Sequence, residues 1–322
     1  MKREDIIKLL GNHWDGFERL VRESLRSDIA LLNVVNESIM SNAGKQLRPM
    51  LLLLVAGSLG VINDDSLHFA AAVELLHNAT LLHDDVADRS STRRGQPTLS
   101  ALIGPSSAVL VGDFWLTKAV DMVLDAKRKD KAVPLFSRTL SDLAEGEMLQ
   151  LEKANEADTT EEDYLRIIYC KTASLFRTAC MSAALSVDAG PEQCEAAARY
   201  GNAMGLAFQI RDDIFDYTDG NGLGKPVGLD LMEKKITLPL IGALRNSDRA
   251  GELRDMVRGI DEHPEYCGQL RCFVLENGGL EYAAARLDDY IKEATAALDV
   301  FPESPGKECL ASLAGYNAIR NT

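Results

Sequence analysis

Three carboxylates, Asp84, Asp85 and Asp88, follow the apolar run Leu81-Leu82 and His83, and the same spacing returns at Asp212, Asp213 and Asp216 behind Phe208-Gln209-Ile210-Arg211. On a helix, residues four apart share a face and the intervening one sits about 100° round. Like charges at that spacing repel one another, so on two otherwise apolar helices they call for compensation. A hard divalent cation supplies it. Magnesium takes oxygen ligands, keeps several waters, and is held by one or two carboxylates together with substrate phosphates. Two such patches suit a diphosphate clamped through bridging metal ions. One acidic triplet in an acidic protein is as readily a solvated face, but two identical ones on apolar helices are not.

Basic residues complement the carboxylates. Lys45 and Arg48 lie in Gly44-Lys45-Gln46-Leu47-Arg48-Pro49, Arg93 and Arg94 follow the first triplet, and Lys171-Thr172, Lys225 and Lys235 lie on later segments. Each alone reads as a surface charge. Arginine suits bidentate phosphate recognition and lysine acts as a point charge, so a metal-bridged site beside a separate basic site suits two diphosphates. His77 precedes Asp84 by seven residues, which places both on one helix face two turns apart.

The elements that must position these groups read as helices. Apolar residues recur at three and four in Ile6, Leu9, Leu10, Trp14, Phe17 and Leu20, and through residues 44–59, 64–87, 105–127, 131–153, 160–186, 192–218, 232–247 and 279–298. No run alternates at period two. Residues 219–228, DGNGLGKPVG, form a glycine-rich connection without the Gly-Lys-Ser/Thr ending of a P-loop. With no linker long enough to separate domains, the expectation is an all-α fold in which residues 1–322 form a single domain.

Composition narrows the function classes. The chain has 322 residues, 46% of them hydrophobic, and a net charge of −14 from 35 basic and 49 acidic residues. That balance argues against sequence-independent nucleic-acid binding, which rests on phosphate neutralisation by Lys and Arg. Six cysteines at spacings unsuited to metal sites read as reduced thiols. The N-terminus MKREDIIKLLGNHWDGF lacks a signal-peptide core. No stretch reaches the ~18 apolar residues of a membrane span. The expected location is cytoplasmic.

These residues, in order, resemble the trans-isoprenyl diphosphate synthase (polyprenyl synthetase) family. The likeness rests on GKQLRP at 44–49, His77, LLHDDVADRSSTRRG at 81–95, Gly112-Asp113, GEMLQ at 146–150, KTASLF at 171–176, FQIRDD at 208–213, and the later GK and KKITLP segments. One departure stands out: where the family usually reads Gly-Lys before Thr-Leu-Pro, this chain has Lys234-Lys235.

The resemblance implies a single large bundle of antiparallel helices around a central substrate cavity, and a homodimer. It implies that Asp84, Asp85, Asp88, Asp212, Asp213 and Asp216 hold Mg²⁺ on an allylic diphosphate, contacted also by Arg93, Lys171, Thr172, Gln209, Lys225 and Lys235. Lys45, Arg48, His77 and Arg94 would hold isopentenyl diphosphate. The aspartates with Lys171 and Lys225 would carry catalysis, and metal ions and cations would stabilise the departing diphosphate. In this family a bulky aromatic at the positions of Ala79 or Thr80 closes the product tunnel early. Both are small here, with Leu76 and Ala72 below them, so the expected product is an all-trans polyprenyl diphosphate in the hexaprenyl to nonaprenyl range, of the kind used for quinone side chains.

Three other readings differ in their features. A short-chain synthase would share every motif and close its tunnel with a deeper residue. A terpene cyclase normally replaces the second aspartate group with an Asn-Ser-Glu motif. A non-catalytic partner subunit tends to lose aspartates. Residues 248–322 read only as helical packing near the tunnel, with Arg320 as one cation near the end.

Overall fold

The computed structural model describes residues 2–42, 44–93, 95–218, 228–245 and 247–319. The expected Lys225, Arg94 and Arg320 lie outside the described residues, as does most of the glycine-rich segment 219–228. The described chain is nearly all helix, with two strands of two residues each. No helix among the described residues is long and apolar enough to cross a membrane. The chain divides into two compact units: Met1–Phe136 with Thr178–Ala198 and Val300–Leu310, and Ser137–Arg177 with Arg199–Asp299 and Ala311–Thr322.

In the first unit the helices α1 (Arg3–Leu10) and α2 (Asn12–Ser24) are separated at Gly11, whose φ of +52° is a left-handed value that glycine tolerates. The apolar repeat from Ile6 to Leu20 therefore breaks into two helices rather than one. After α3 (Ala30–Ser41) come α4 (Leu47–Leu59) and α5 (Asp64–Ala87), which are apolar on almost every side, so both are buried. Helix α5 starts with a capping box, the Asn63 side chain accepting from the Ser66 N–H while the Ser66 hydroxyl accepts from the Asn63 N–H. It packs on α2, α4, the short α6 (Leu99–Ile103) and α7 (Pro105–Asp125). Trp14, Phe17 and Trp115 are buried in this unit; each removes about 200 Å² from water, worth about 5 kcal/mol of transfer free energy before entropy is counted. Trp115 Nε1 donates to Asn36 Oδ1 at 2.8 Å, and Asn36 in turn donates to the Leu25 carbonyl at 2.8 Å, so neither buried polar group is orphaned.

A charge clamp holds the start of α5. Asp65, 2% exposed, accepts from the Lys127 and Arg128 N–H groups at 2.8 and 3.1 Å and from Arg128 Nη1 at 2.9 Å. Arg128 also holds Asp188 with two hydrogen bonds.

The second unit contains the greater part of α8 (Lys129–Glu156) and α9 (Glu161–Ile168), which opens with a Thr160–Asp163 capping box. There follow a π-helical turn over Tyr169–Ala173, the start of α10 (Ser174–Ser186) and the body of α11 (Pro191–Tyr217). Its core gathers Tyr164, Ile168, Leu206, Ile210, Ile214 and Tyr217 with residues of α12 (Leu229–Met232) and α13 (Leu238–Leu244). Helices α14 (Ala250–Arg258), α15 (Glu265–Glu276) and α16 (Gly279–Ala297) complete it. The apolar pattern over 232–247 predicts one helix. Instead Lys234 adopts φ +57° and the chain breaks between α12 and α13.

Candidate active site

The first acidic group terminates α5. Arg89 takes a left-handed φ of +51°, its N–H donates to the Val86 carbonyl at 3.2 Å, and the Ser90 N–H donates to the Asp85 carbonyl at 3.0 Å. That is a Schellman ending, with arginine where glycine is usual. Strand β1 (Thr92–Arg93) then pairs with β2 (Gln96–Pro97), with Gly95 at φ +76° between them. Thr98 closes the loop, its N–H donating to the Ser91 carbonyl and its hydroxyl to the Ser90 carbonyl. This folding returns Arg93 to the helix end, where its Nε donates to Asp85 Oδ1 at 2.7 Å. Asp85 is buried, Asp84 half-buried and Asp88 exposed.

Beside them, His83 Nε2 lies 3.2 Å from Asp113 Oδ1. A Cβ at Gly112 would come within 2.4 Å of that same nitrogen, so glycine is what lets the ring pass over α7. The unbroken helix from Asp64 to Ala87 puts His77 about 10 Å below Asp84 on its face. Leu76 and Ala79 are buried and Thr80 half-buried, with its hydroxyl donating to the His77 carbonyl. Lys45 is exposed and Arg48 half-buried at the start of α4. Gln46 between them has φ +52°, and its Oε1 accepts from Arg3 Nη2 at 3.0 Å. The N-terminal helix thus steadies the Lys45–Arg48 segment, a role the sequence pattern does not signal.

The second acidic group closes α11. Gly201, Gly205, Gln209 and Asp213 recur at four-residue steps on one face of that helix. A Cβ at Gly201 or Gly205 would lie 2.5 Å from the backbone of Phe176 or Ala173, so the two glycines permit backbone contact with the end of the π turn and the segment after it. The close approach brings Thr172 to Gln209. Thr172 Oγ1 donates to Gln209 Oε1 at 2.8 Å, Gln209 Nε2 donates to Asp213 Oδ1 at 2.8 Å, and the Tyr164 hydroxyl donates to Asp213 Oδ2 at 2.7 Å. Asp212 is exposed. Asp216 accepts from the Leu229 and Asp230 N–H groups, each at 3.1 Å.

Burial, and then the charge of Asp230, push the Asp213 carboxyl well above the ordinary carboxylate range. Asp230 itself is pushed up to about 7, by burial first and the charge of Asp216 next. Lys171, placed by the π turn, pairs with Glu147 at 2.5 Å, and Gly146 leaves room for Cys170. Lys235 pairs with Glu233, and Lys234 with Asp261 at 2.6 Å. The Lys234 and Lys235 N–H groups donate to the Leu231 and Asp230 carbonyls, a second Schellman ending without glycine. The Lys234-Lys235 departure is therefore a left-handed lysine carrying out a turn that glycine makes without strain.

Within the first unit, then, Asp85 and Arg93 are brought together; within the second, Thr172, Gln209 and Asp213. Tyr164, Asp230 and Glu147 are site residues that sequence reasoning missed. Glu147 sits inside the GEMLQ motif with its role unassigned. Asp230 follows a glycine-rich segment that has no helical period to place it, and Tyr164 reads as ordinary core. All the acidic donors are hard oxygens, and crowded carboxylates in a low-dielectric setting fit a divalent cation. Among the described residues no group of three or more His, Cys, Asp or Glu closes around one point. A hard divalent cation held by one or two of these carboxylates would complete its shell with phosphate and water oxygens.

The polyprenyl synthetase family model matches residues 29–270. The chain is 37% identical over 326 residues to octaprenyl diphosphate synthase of Escherichia coli K12, with 98% of each covered. Among solved structures, a decaprenyl diphosphate synthase from Rhodobacter capsulatus is similar with a TM-score of 0.93 at 33% identity, covering 100% of both chains. A polyprenyl synthase from Caulobacter crescentus CB15, complexed with calcium and isoprenyl diphosphate, is similar with a TM-score of 0.90 at 34% identity, covering 100% of this chain and 98% of that one. With the family model spanning most of the chain, relatives matched end to end, and the acidic helix ends laid out as above, the chain belongs to the polyprenyl synthetase family and is a prenyl-transferring enzyme.

Proposed function

We propose that this enzyme condenses an allylic diphosphate with successive isopentenyl diphosphates to give an all-trans polyprenyl diphosphate of hexaprenyl to nonaprenyl length, as a cytosolic homodimer and as one functional domain. The observation that carries the reading is the matched pair of acidic helix ends, each with its middle aspartate buried and hydrogen-bonded, at Arg93 in one case and at Tyr164 and Gln209 in the other. The long-chain relatives and the small residues at 79 and 80 support the length.

Asp84, Asp85, Asp88, Asp212, Asp213 and Asp216 would hold Mg²⁺, and the calcium in the Caulobacter relative supports a divalent ion. Bound there, the ions would supply Lewis-acid stabilisation of charge on the leaving diphosphate. Lys171, Lys225, Lys235 and Arg93 hold the allylic diphosphate as cations. Lys45, Arg48, Arg94 and His77 hold isopentenyl diphosphate. Thr172 and Gln209 orient polar atoms toward the allylic carbon that becomes cationic. The alkene of isopentenyl diphosphate attacks that carbon, and the released diphosphate takes the proton lost on forming the new double bond. Apolar side chains keep water from quenching the cation. The apolar tail runs down α5 past Thr80, Ala79 and Leu76, and the product serves quinone side chains.

Incubation of the purified chain with Mg²⁺, labelled isopentenyl diphosphate and farnesyl diphosphate tests this, with the dephosphorylated products sized by chromatography. A ladder ending at one long polyprenol is expected. Arrest after one addition would leave the reaction and remove the length; no incorporation with farnesyl, geranyl or dimethylallyl primers would remove both.

A further inference from the structure

Asp213 has both carboxylate oxygens occupied from within its own unit, Oδ1 by Gln209 Nε2 at 2.8 Å and Oδ2 by the Tyr164 hydroxyl at 2.7 Å. It is 4% exposed, and Tyr164 is 3% exposed. Asp230 and Asp212 crowd it with like charge, so an unheld carboxylate here would turn away from its neighbours. The donor order is fixed along the whole chain of bonds. Gln209 gives its amide hydrogen to Asp213, which leaves its oxygen to accept the Thr172 hydroxyl at 2.8 Å. The Thr172 proton is spent inward, and that hydroxyl offers only lone pairs to anything on its other side.

Tyr164 anchors the other end of this sequence. It sits one residue after the Thr160–Asp163 capping box, its N–H donates to the Thr160 carbonyl at 2.9 Å, and Lys153 pairs with Asp163 at 3.4 Å. The phenol is therefore carried by a rigid helix start, which is how a supporting group holds a reactive one to within fractions of an ångström. Tyr164 meets the proposed site through its hydrogen bond to Asp213.

Resting on the proposed prenyl transfer, we infer that Tyr164 is a positioning residue: through Asp213 and Gln209 it sets the direction in which Thr172 presents its oxygen to the reacting carbon. Loss of the hydroxyl frees Asp213 Oδ2, lets the carboxylate rotate, and lets the Gln209 amide flip. Thr172 is then free to donate outward.

The test uses the full chain and Tyr164→Phe. The expected loss in kcat is about 10- to 100-fold, the scale for removing a supporting hydrogen bond, with the isopentenyl diphosphate KM within about twofold. In a Gln209→Leu background the same change costs less than about twofold, because the relay is already broken. Binding of inorganic diphosphate with Mg²⁺, followed by calorimetry, reads the site apart from turnover and is expected to weaken in Tyr164→Phe. Unchanged kcat and diphosphate binding in Tyr164→Phe, or an undiminished loss in the Gln209→Leu background, would overturn the positioning role and leave prenyl transfer standing. A wild-type chain with no Mg²⁺-dependent diphosphate binding and no prenyl transfer would overturn both. If Tyr164→Phe does not fold, Asp213→Asn cuts the same relay, and unchanged kcat there overturns the inference.

Discussion

At the end of α5 the middle aspartate of the motif is met by a cation: Arg93, brought back eight residues later by a two-residue strand, holds Asp85 through one short charged hydrogen bond. At the end of α11, among the described residues, its counterpart Asp213 accepts from two neutral donors, a phenol and an amide, while Asp230 and Asp212 add negative charge around it. Identical spacing has thus been resolved by two different electrostatic means. The first end carries its own countercharge. The second holds its middle aspartate with neutral donors, and Arg211 lies 3.9 Å from the neighbouring Asp212 instead. Spacing decides where the carboxylates point, and burial decides what they demand of their surroundings.

The comparison can be broken most severely through the more exposed aspartates. Asp84→Asn and Asp212→Asn are each expected to lower kcat by about 10²- to 10³-fold, the scale for one preorganised electrostatic group; steady-state turnover with farnesyl diphosphate decides it. A loss below tenfold at either position would mean that the two ends are not chemically equivalent. Next in size is the cost of orphaning a middle aspartate. Arg93→Ala strands a buried carboxylate and should destabilise by about 2 kcal/mol, while Tyr164→Phe removes a neutral donor and should cost about 1 kcal/mol. Urea unfolding of both variants measures the difference, and equal losses would erase the distinction drawn here.

A further test asks whether arginine pairing is a general device of the unit that carries α5. Burial raises the Asp65 pKa, but hydrogen bonds from the Arg128 side chain and from the Lys127 and Arg128 N–H groups more than reverse it, leaving it below the ordinary 3.8. A carboxylate with a depressed folded pKa contributes stability above its unfolded value, and that contribution is lost as pH falls through the folded one. Acid unfolding is therefore expected to steepen below about pH 4, and Arg128→Met should flatten that limb when unfolding is followed by circular dichroism. The smallest effects concern the glycine-free helix endings at Arg89 and Lys234. Arg89→Gly and Lys234→Gly relieve left-handed backbone and should each stabilise by about 0.5 kcal/mol. Lys234→Gly also gives up an ion pair to the exposed Asp261, which is worth little. Differential scanning calorimetry checks both.

Much of this was legible in the residues. The span 64–87 is seen as a helix to the residue, and 279–298 to within one. The order of acidic and basic motifs was enough to suggest the chemistry, because helical periodicity and i,i+4 spacing are local properties. What escaped depends on distance along the chain or on backbone torsion. Tyr164 meets Asp213 across 49 residues, and nothing around it distinguishes a hydrogen-bonding phenol from core packing. The interruption at Lys234 sits in an apolar pattern that continues on either side, so only its φ reveals it. Helix α15 has an amphipathic pattern broken by glycine and cysteine, and it gave no comparable signal.

The π-helical turn over Tyr169–Ala173 means that the chain holds one residue more there than a regular helix needs. Lys171 and Thr172 face their partners only while that surplus is kept. Deleting Cys170 would let the segment relax into an uninterrupted α-helix, rotating everything on one side by about 100° and drawing it in by about 1.5 Å. The site should therefore tolerate many changes of residue type along this stretch and almost no change in its length.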